Sequence, residues 1–173
     1  MFSYSNGTAY NSSFRKKKVL RMKIWLLTHT EELKKTSGTG KLVKDTLKND
    51  CEIIEWSRVS PEQAILDLPP TNTLLIYPYE EAQKTLSTTP VSNIDNIIII
   101  DGTWQQARKI YNRSPYLKKF QHYEIKGVTS VYCKRRNQKN TGLCTAEVAI
   151  HILTEYQHSA AGKLSKQFLE FNQ

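Results

Sequence analysis

The stretch NIIIIDGTWQQARKIY, Asn96 to Tyr111, decides how the rest of the chain is read. Four consecutive isoleucines form a β-branched run that is apolar at every position, not at alternate ones. A strand of that kind is buried on both faces, as in the middle of a parallel sheet. The run ends in Asp101, and Gly102, Thr103 and Trp104 follow. Thr103 can accept a hydrogen bond from the backbone of Gln106, whose side chain can reach back to Thr103, so the strand passes directly into a helix. A carboxylate and an indole thus stand at the carboxyl end of the strand predicted to be most buried.

Working outward, the same grammar repeats. KIWLLT (23–28), CEIIEW (51–56) and TLLIYP (73–78) are short apolar strands, the last ended by Pro78. In GKLVKDTLKN, Leu42, Val43 and Leu47 have helical spacing, and Ser60, Pro61 and Gln63 look like the start of another helix. YEIKGVTSVYC reads as a hairpin or two short strands turning at Gly127. In CTAEVAIHILTEYQ, Thr145 is a good N-cap, and Ala149, Ile152, Leu153 and Tyr156 form one buried face. A last amphipathic helix carries Leu164, Phe168 and Phe171. Strands alternating with helices predict an α/β fold, a mostly parallel sheet with helices on both faces and the isoleucine strand at its centre. Residues 21–173 are expected to form one domain, preceded by a flexible arm, 1–20, that ends in Arg15, Lys16, Lys17 and Lys18.

The 173 residues contain 25 Lys plus Arg against 16 Asp plus Glu, a formal charge of +9 that favours polyanionic partners. No segment approaches the roughly 20 apolar residues needed to span a bilayer. The N-terminus lacks the apolar core and cleavage site of a secretory signal, so a cytoplasmic, membrane-free protein is expected. Cys51, Cys133 and Cys144 are too few and too scattered for a disulfide framework or a zinc site. No metal is expected, and no obligate protein partner is evident.

Ligands of open α/β sheets bind beyond the carboxyl ends of the strands, where Asp101 lies. Taken by itself, Asp101 reads equally as a helix-capping or a catalytic carboxylate, and Trp104 as core packing or a ligand platform. SGTGKL, Ser37 to Leu42, lacks the spacing of a phosphate-binding P-loop, with Lys35 and Leu42 at the positions that matter; it reads as a Gly-rich turn whose backbone faces an anionic group. His29 ends the first strand and can reach the same crevice. No metal spacing links His122, His151 and His158, and no Gly-x-Ser-x-Gly elbow is present. Tyr132, Lys134, Arg135, Arg136 and Lys139 combine an aromatic ring with basic side chains in one loop, a composition suited to phosphate contact and base stacking on RNA.

DGTWQQARKIYNRSPYL and GLCTAEVAIHIL, with LLIYP upstream, resemble the DTW-domain family over roughly Met22 to Tyr156. The resemblance implies a SPOUT-like fold with a knotted C-terminal region. It also implies a tRNA-uridine aminocarboxypropyltransferase that uses S-adenosylmethionine as group donor, without metal, and tRNA as partner. Asp101 and Trp104 become the catalytic pair, Asp101 as base for the uridine N3 proton and Trp104 as a pocket wall or a cation–π partner of the sulfonium. Tyr77, Pro78, Gly102, Thr103, Trp104, Cys144, Thr145 and Glu147 would hold the donor. Tyr132 and Arg135 match a family Tyr-x-x-Arg. This chain lacks the N-terminal cysteine cluster of many members, has His29-Thr30-Glu31 in place of His-Pro-x-Glu, and carries Cys144 where Ser is common. The alternatives are a SPOUT-type RNA methyltransferase and a non-catalytic RNA-binding domain.

Overall fold

The computed structural model describes residues 22–77, 94–134 and 142–173. Its elements run β1 (Lys23–Thr28), α1 (Thr30–Leu33), α2 (Thr39–Leu47), β2 (Cys51–Glu55), α3 (Gln63–Leu66), β3 (Thr73–Ile76), β4 (Asn96–Asp101), α4 (Trp104–Asn112), β5 (Gln121–Tyr123), α5 (Thr145–Glu155) and α6 (Ala161–Phe171). The five strands form one sheet in the order β2-β1-β4-β3-β5, and every pairing is parallel. The isoleucine strand is its centre, as its composition requires.

Alternate residues of the sheet feed two cores. Ile24, Leu26, Leu74, Ile97 and Ile99 pack with Val43 and Leu47 of α2, Ala149, Ile152 and Leu153 of α5, and Leu164 and Phe168 of α6. Trp25, Leu27, Leu75, Ile98 and Ile100 face the other way, against Ile65, Ala107, Ile110, Leu117 and Phe120. Each fully buried isoleucine contributes about 1.5–3 kcal/mol from area removed from water, so the unbroken run is what the two-faced position demands. No helix among the described residues is long and apolar enough to cross a membrane.

Three local expectations are corrected. The third helix begins at Gln63, not at Ser60, and is a single turn; Gln63 donates to Asp67 instead of closing a capping box. No hairpin forms at Gly127: β5 is an earlier three-residue strand parallel to β3, and the residues after it are irregular, with Gly127 at a φ of +74° that favours glycine. The N-cap of α5 is Cys144, because the Thr145 hydroxyl is committed elsewhere.

The α4 start is as expected. Thr103 Oγ1 accepts from the Gln106 amide at 3.3 Å, and Gln106 Oε1 accepts from the Thr103 amide at 2.8 Å. Thr103→Ala, which loses one half of this reciprocal cap, is expected to lower stability by about 1 kcal/mol. Urea unfolding with an unchanged slope and a shifted midpoint is the check.

Candidate active site

The carboxyl end of β4 lies where α2, α4 and α5 begin. Asp101 is buried, with 8% of its surface exposed. Its Oδ1 accepts from Thr145 Oγ1 at 2.5 Å, and Thr28 Oγ1, on the paired position of β1, lies 3.3 Å from Oδ2. Its main-chain carbonyl accepts from the His29 amide at 2.9 Å. Behind the carboxylate stands Gly40, in the first turn of α2. An ideal Cβ there would come 2.5 Å from Oδ2 and 3.2 Å from Cγ, so the position has no room for a side chain. One hydrogen bond joins the two helix starts directly: the Ala146 amide donates to Thr39 Oγ1 at 3.2 Å. Burial raises the Asp101 pKa above its ordinary value, and the hydrogen bonds from Thr145 and Thr28 oppose that only in part.

Trp104 is placed differently. Its indole is 54% exposed and lies 6.2 Å from the Tyr77 ring, on the α4 side of the strand end, whereas Asp101 turns toward α2 and α5. Tyr77 stacks on Tyr111 at 4.2 Å with the planes 12° apart. Tyr111 Oη meets His122 Nε2 at 2.8 Å, and His122 Nδ1 lies 3.1 Å from the Phe120 carbonyl. That carbonyl can only accept, so Nδ1 carries the proton and Nε2 accepts from the tyrosine. Burial lowers the His122 pKa, which keeps the ring neutral and the column intact.

Arranged in this way, a buried carboxylate with a raised pKa and a short hydrogen bond to a half-buried hydroxyl can take up a proton. The DTW domain family model matches residues 6–173. The chain belongs to the DTW-domain family. Among its curated relatives are tRNA-uridine aminocarboxypropyltransferase 2 of Drosophila melanogaster, 29% identical over 75% of this chain and 54% of the relative. The proteins of the same name from Macaca fascicularis and Mus musculus are 28% and 27% identical, each over 84% of this chain and 59% of the relative. The chain therefore spans a little over half the length of these relatives. No solved structure matches it.

Within the DTW domain, the residues named from sequence divide into groups. Asp101 and Thr145 are in direct contact. Gly102 sits against Gln106, where an added Cβ would come 3.0 Å from the Gln106 Cβ, and Thr103 is the α4 cap. Cys144 is buried, its thiol pushed up to about 12 by burial, so it acts as a neutral packing group. The Glu147 carboxylate is held within the protein: it accepts from Ser130 Oγ at 2.7 Å, from the Val131 amide at 2.6 Å and from the Cys144 amide at 2.7 Å. Tyr132 ties the same loop to the Gly-rich turn, its hydroxyl donating to the Ser37 carbonyl at 2.6 Å and its ring 6.2 Å from Phe168. Lys134 lies over the Phe171 ring at 4.8 Å. Pro78, Arg135, Arg136, Lys139 and the Arg15–Lys18 arm lie outside the described residues. Among the described residues no group of three or more His, Cys, Asp or Glu could hold a metal ion.

Sequence reasoning singled out neither Thr28 nor Gly40 as a partner of Asp101. The Gly-rich turn was read as a set of backbone donors for an anionic group; what the structure shows there is Gly40 packed against the Asp101 carboxylate, whose hydrogen bonds come from Thr145 and Thr28. His29, read as a candidate for the crevice, has a local task, its Nδ1 accepting from the Glu31 amide at 3.2 Å and its ring stacked 6.2 Å from Trp56.

Proposed function

We propose that the protein transfers the 3-amino-3-carboxypropyl group of S-adenosylmethionine to N3 of a tRNA uridine in the cytoplasm, through the DTW domain of residues 21–173. The observation that supports this most is the Asp101–Thr145 pair at the carboxyl end of the central strand, in a domain whose curated relatives are named tRNA-uridine aminocarboxypropyltransferases. The knotted C-terminal region of a SPOUT-like fold belongs to the same proposal, and the wholly parallel sheet is compatible with it.

A cavity against α5 has walls that suit the donor. Its volume is about 370 Å³, and it lies between residues 128–131, Leu143 and the outer sides of α5 and α6. Val128, Val131, Leu143 and Ile150 make it largely apolar, and Glu147 on its wall adds negative charge, a combination fitted to an adenosyl group that carries a cation. Glu147 lines this cavity, and Thr145, two residues before it on α5, carries the hydrogen bond to Asp101. When bound, the donor supplies a carbon activated by its sulfonium, so that methylthioadenosine leaves as the N3–carbon bond forms.

The remaining chemistry belongs to the chain. Uridine N3–H is a weak acid, and its proton must leave as the new bond forms. Thr145, half-buried and hydrogen-bonded to Asp101 at 2.5 Å, takes that proton while passing its own to Asp101 Oδ1. The raised Asp101 pKa makes the carboxylate a stronger base than a solvated one. Glu147 acts by fixing the 130–131 loop against α5.

Mass spectrometry of tRNA nucleosides after incubation with protein and S-adenosylmethionine tests the reaction. A uridine heavier by an aminocarboxypropyl group is expected, with methylthioadenosine released in equal amount. A methyl increment with S-adenosylhomocysteine would make the protein a methyltransferase, and unmodified tRNA with no donor binding by calorimetry would leave an RNA-binding domain.

A further inference from the structure

One part of the chain carries charge of a single sign. From Thr103 to Tyr123 there are five basic residues, Arg108, Lys109, Arg113, Lys118 and Lys119, and no Asp or Glu. The segment covers α4 and the Pro115–Lys119 turn. Ala107 and Ile110 hold α4 to the sheet, while Trp104, Gln105, Arg108, Lys109, Asn112 and Arg113 are exposed. Lys119 turns back to donate to the Leu66 carbonyl, and Lys109, Arg113 and Lys118 are exposed cations. At the carboxyl ends of β1 and β2, by contrast, charges of both signs are paired, Lys34 with Glu31 and Lys35 with Glu32.

The exposed indole at the head of this helix is the second observation. Trp104 follows Asp101 by three residues, and the Tyr77–Tyr111–His122 column stands behind it, ending on a main-chain carbonyl. A large aromatic ring that is half exposed, backed by a fixed stack and set beside a row of cations has the composition of a nucleic-acid platform: a π-face for one base and charges spaced for the backbone that follows.

We propose that the outer face of α4 and the following turn dock RNA, with Trp104 stacking a base that flanks the target uridine. The proposal rests on the RNA-modifying reading above and adds the surface, which differs from the loop of Tyr132, Lys134, Arg135, Arg136 and Lys139 nominated from sequence. It also moves Trp104 from the donor to the RNA. The sheet's carboxyl edge separates the indole from the carboxylate, so the nucleotide on Trp104 is a neighbour of the one whose N3 reaches Thr145.

Stacking and charge leave different traces in salt titrations. Binding of unmodified tRNA, followed by anisotropy over a range of salt, should weaken steeply with salt for the wild type. Substituting Lys109, Arg113 and Lys118 together by Gln should weaken binding and make the log–log slope shallower by about two to three, since each neutralised phosphate contributes roughly 0.7–0.9. Trp104→Ala should weaken binding on the order of tenfold at unchanged slope, and Trp104→Phe should recover most of it. Donor affinity and thermal unfolding should stay near wild type in all three variants, because the changed side chains are exposed. If the triple Gln variant keeps both the affinity and the steep slope of the wild type, RNA docks elsewhere and this inference fails while the reaction stands. If Trp104→Ala loses donor affinity and keeps tRNA affinity, the indole belongs to the donor and the platform is wrong. A wild type that binds no tRNA removes the substrate of the proposed function together with this surface.

Discussion

Asp101→Asn is expected to give a folded protein that binds its substrates and scarcely turns over. The amide is nearly isosteric with the carboxylate: its oxygen can still accept from Thr145 Oγ1, and its NH₂ can occupy the Oδ2 position beside Gly40 and donate to Thr28 Oγ1. Thr28 then donates only to the Leu26 carbonyl, already 3.2 Å away. What is lost is the ability to take a proton, and removal of a general base costs on the order of 10²–10⁴ in rate. Single-turnover transfer at saturating donor should fall by that factor, with donor affinity within a few-fold of wild type.

Stability gives an independent reading of the same substitution. Burial raises the folded-state pKa of Asp101 above its unfolded value. The carboxyl therefore contributes stability that is fully present below the unfolded value of about 3.9 and is lost as pH rises through the raised folded pKa. Asn has no ionised form. Relative to wild type, the Asn variant should gain stability as pH rises across that window, and wild-type transfer should rise with pH through the same raised pKa. Asp101→Ala, which leaves the Thr145 hydroxyl without its partner, should lose stability as well as rate. An Asn variant that turns over like wild type would reduce Asp101 to a tie between β4 and α5.

The centre of the fold was legible because burial leaves a direct mark on composition: only a strand covered on both faces is written as four isoleucines. The capping box of α4 was legible for a similar reason, since Thr103 and Gln106 act within one turn and need no information from elsewhere. Thr145 shows where such reading stops. Its spacing makes it a good N-cap, but the carboxylate that takes its hydroxyl is 44 residues away in the chain, and tertiary contact overrode local preference. β5 is three residues long and finds its partner through β3, so its sequence has too little periodicity to reveal it. For RNA the sequence nominated the loop of Tyr132, Lys134, Arg135, Arg136 and Lys139, most of whose basic residues lie outside the described residues, and it did not propose the face of α4. On α4 the basic residues are spread at helical spacing and become one face only once Ala107 and Ile110 fix which side of the helix is buried.

Gly40→Ala is expected to cost both stability and transfer, and the second helix depends on a residue whose role lies wholly in its missing side chain. An ideal Cβ would meet Asp101 Oδ2 at 2.5 Å and Leu26 Cδ1 at 3.4 Å. The carboxylate cannot easily move aside, since Thr145 holds its other oxygen at 2.5 Å, and Leu26 is fully buried. Overpacking of this kind costs about 1–3 kcal/mol, and a base displaced by a fraction of an ångström loses its geometry with Thr145, so transfer should fall at least tenfold. Helix propensity has the opposite sign: within a helix Ala is favoured over Gly by about 1 kcal/mol. The two effects separate in a double-mutant cycle. With Asp101→Ala in place the clash disappears, and Gly40→Ala should become neutral or stabilising, giving a coupling energy of about 1–3 kcal/mol between two residues 61 positions apart (101 minus 40). Urea unfolding of the four proteins in the cycle measures it. If Gly40→Ala destabilised both backgrounds equally, the glycine would be needed for the backbone of α2, and the bare first turn of that helix would owe nothing to the carboxylate it faces.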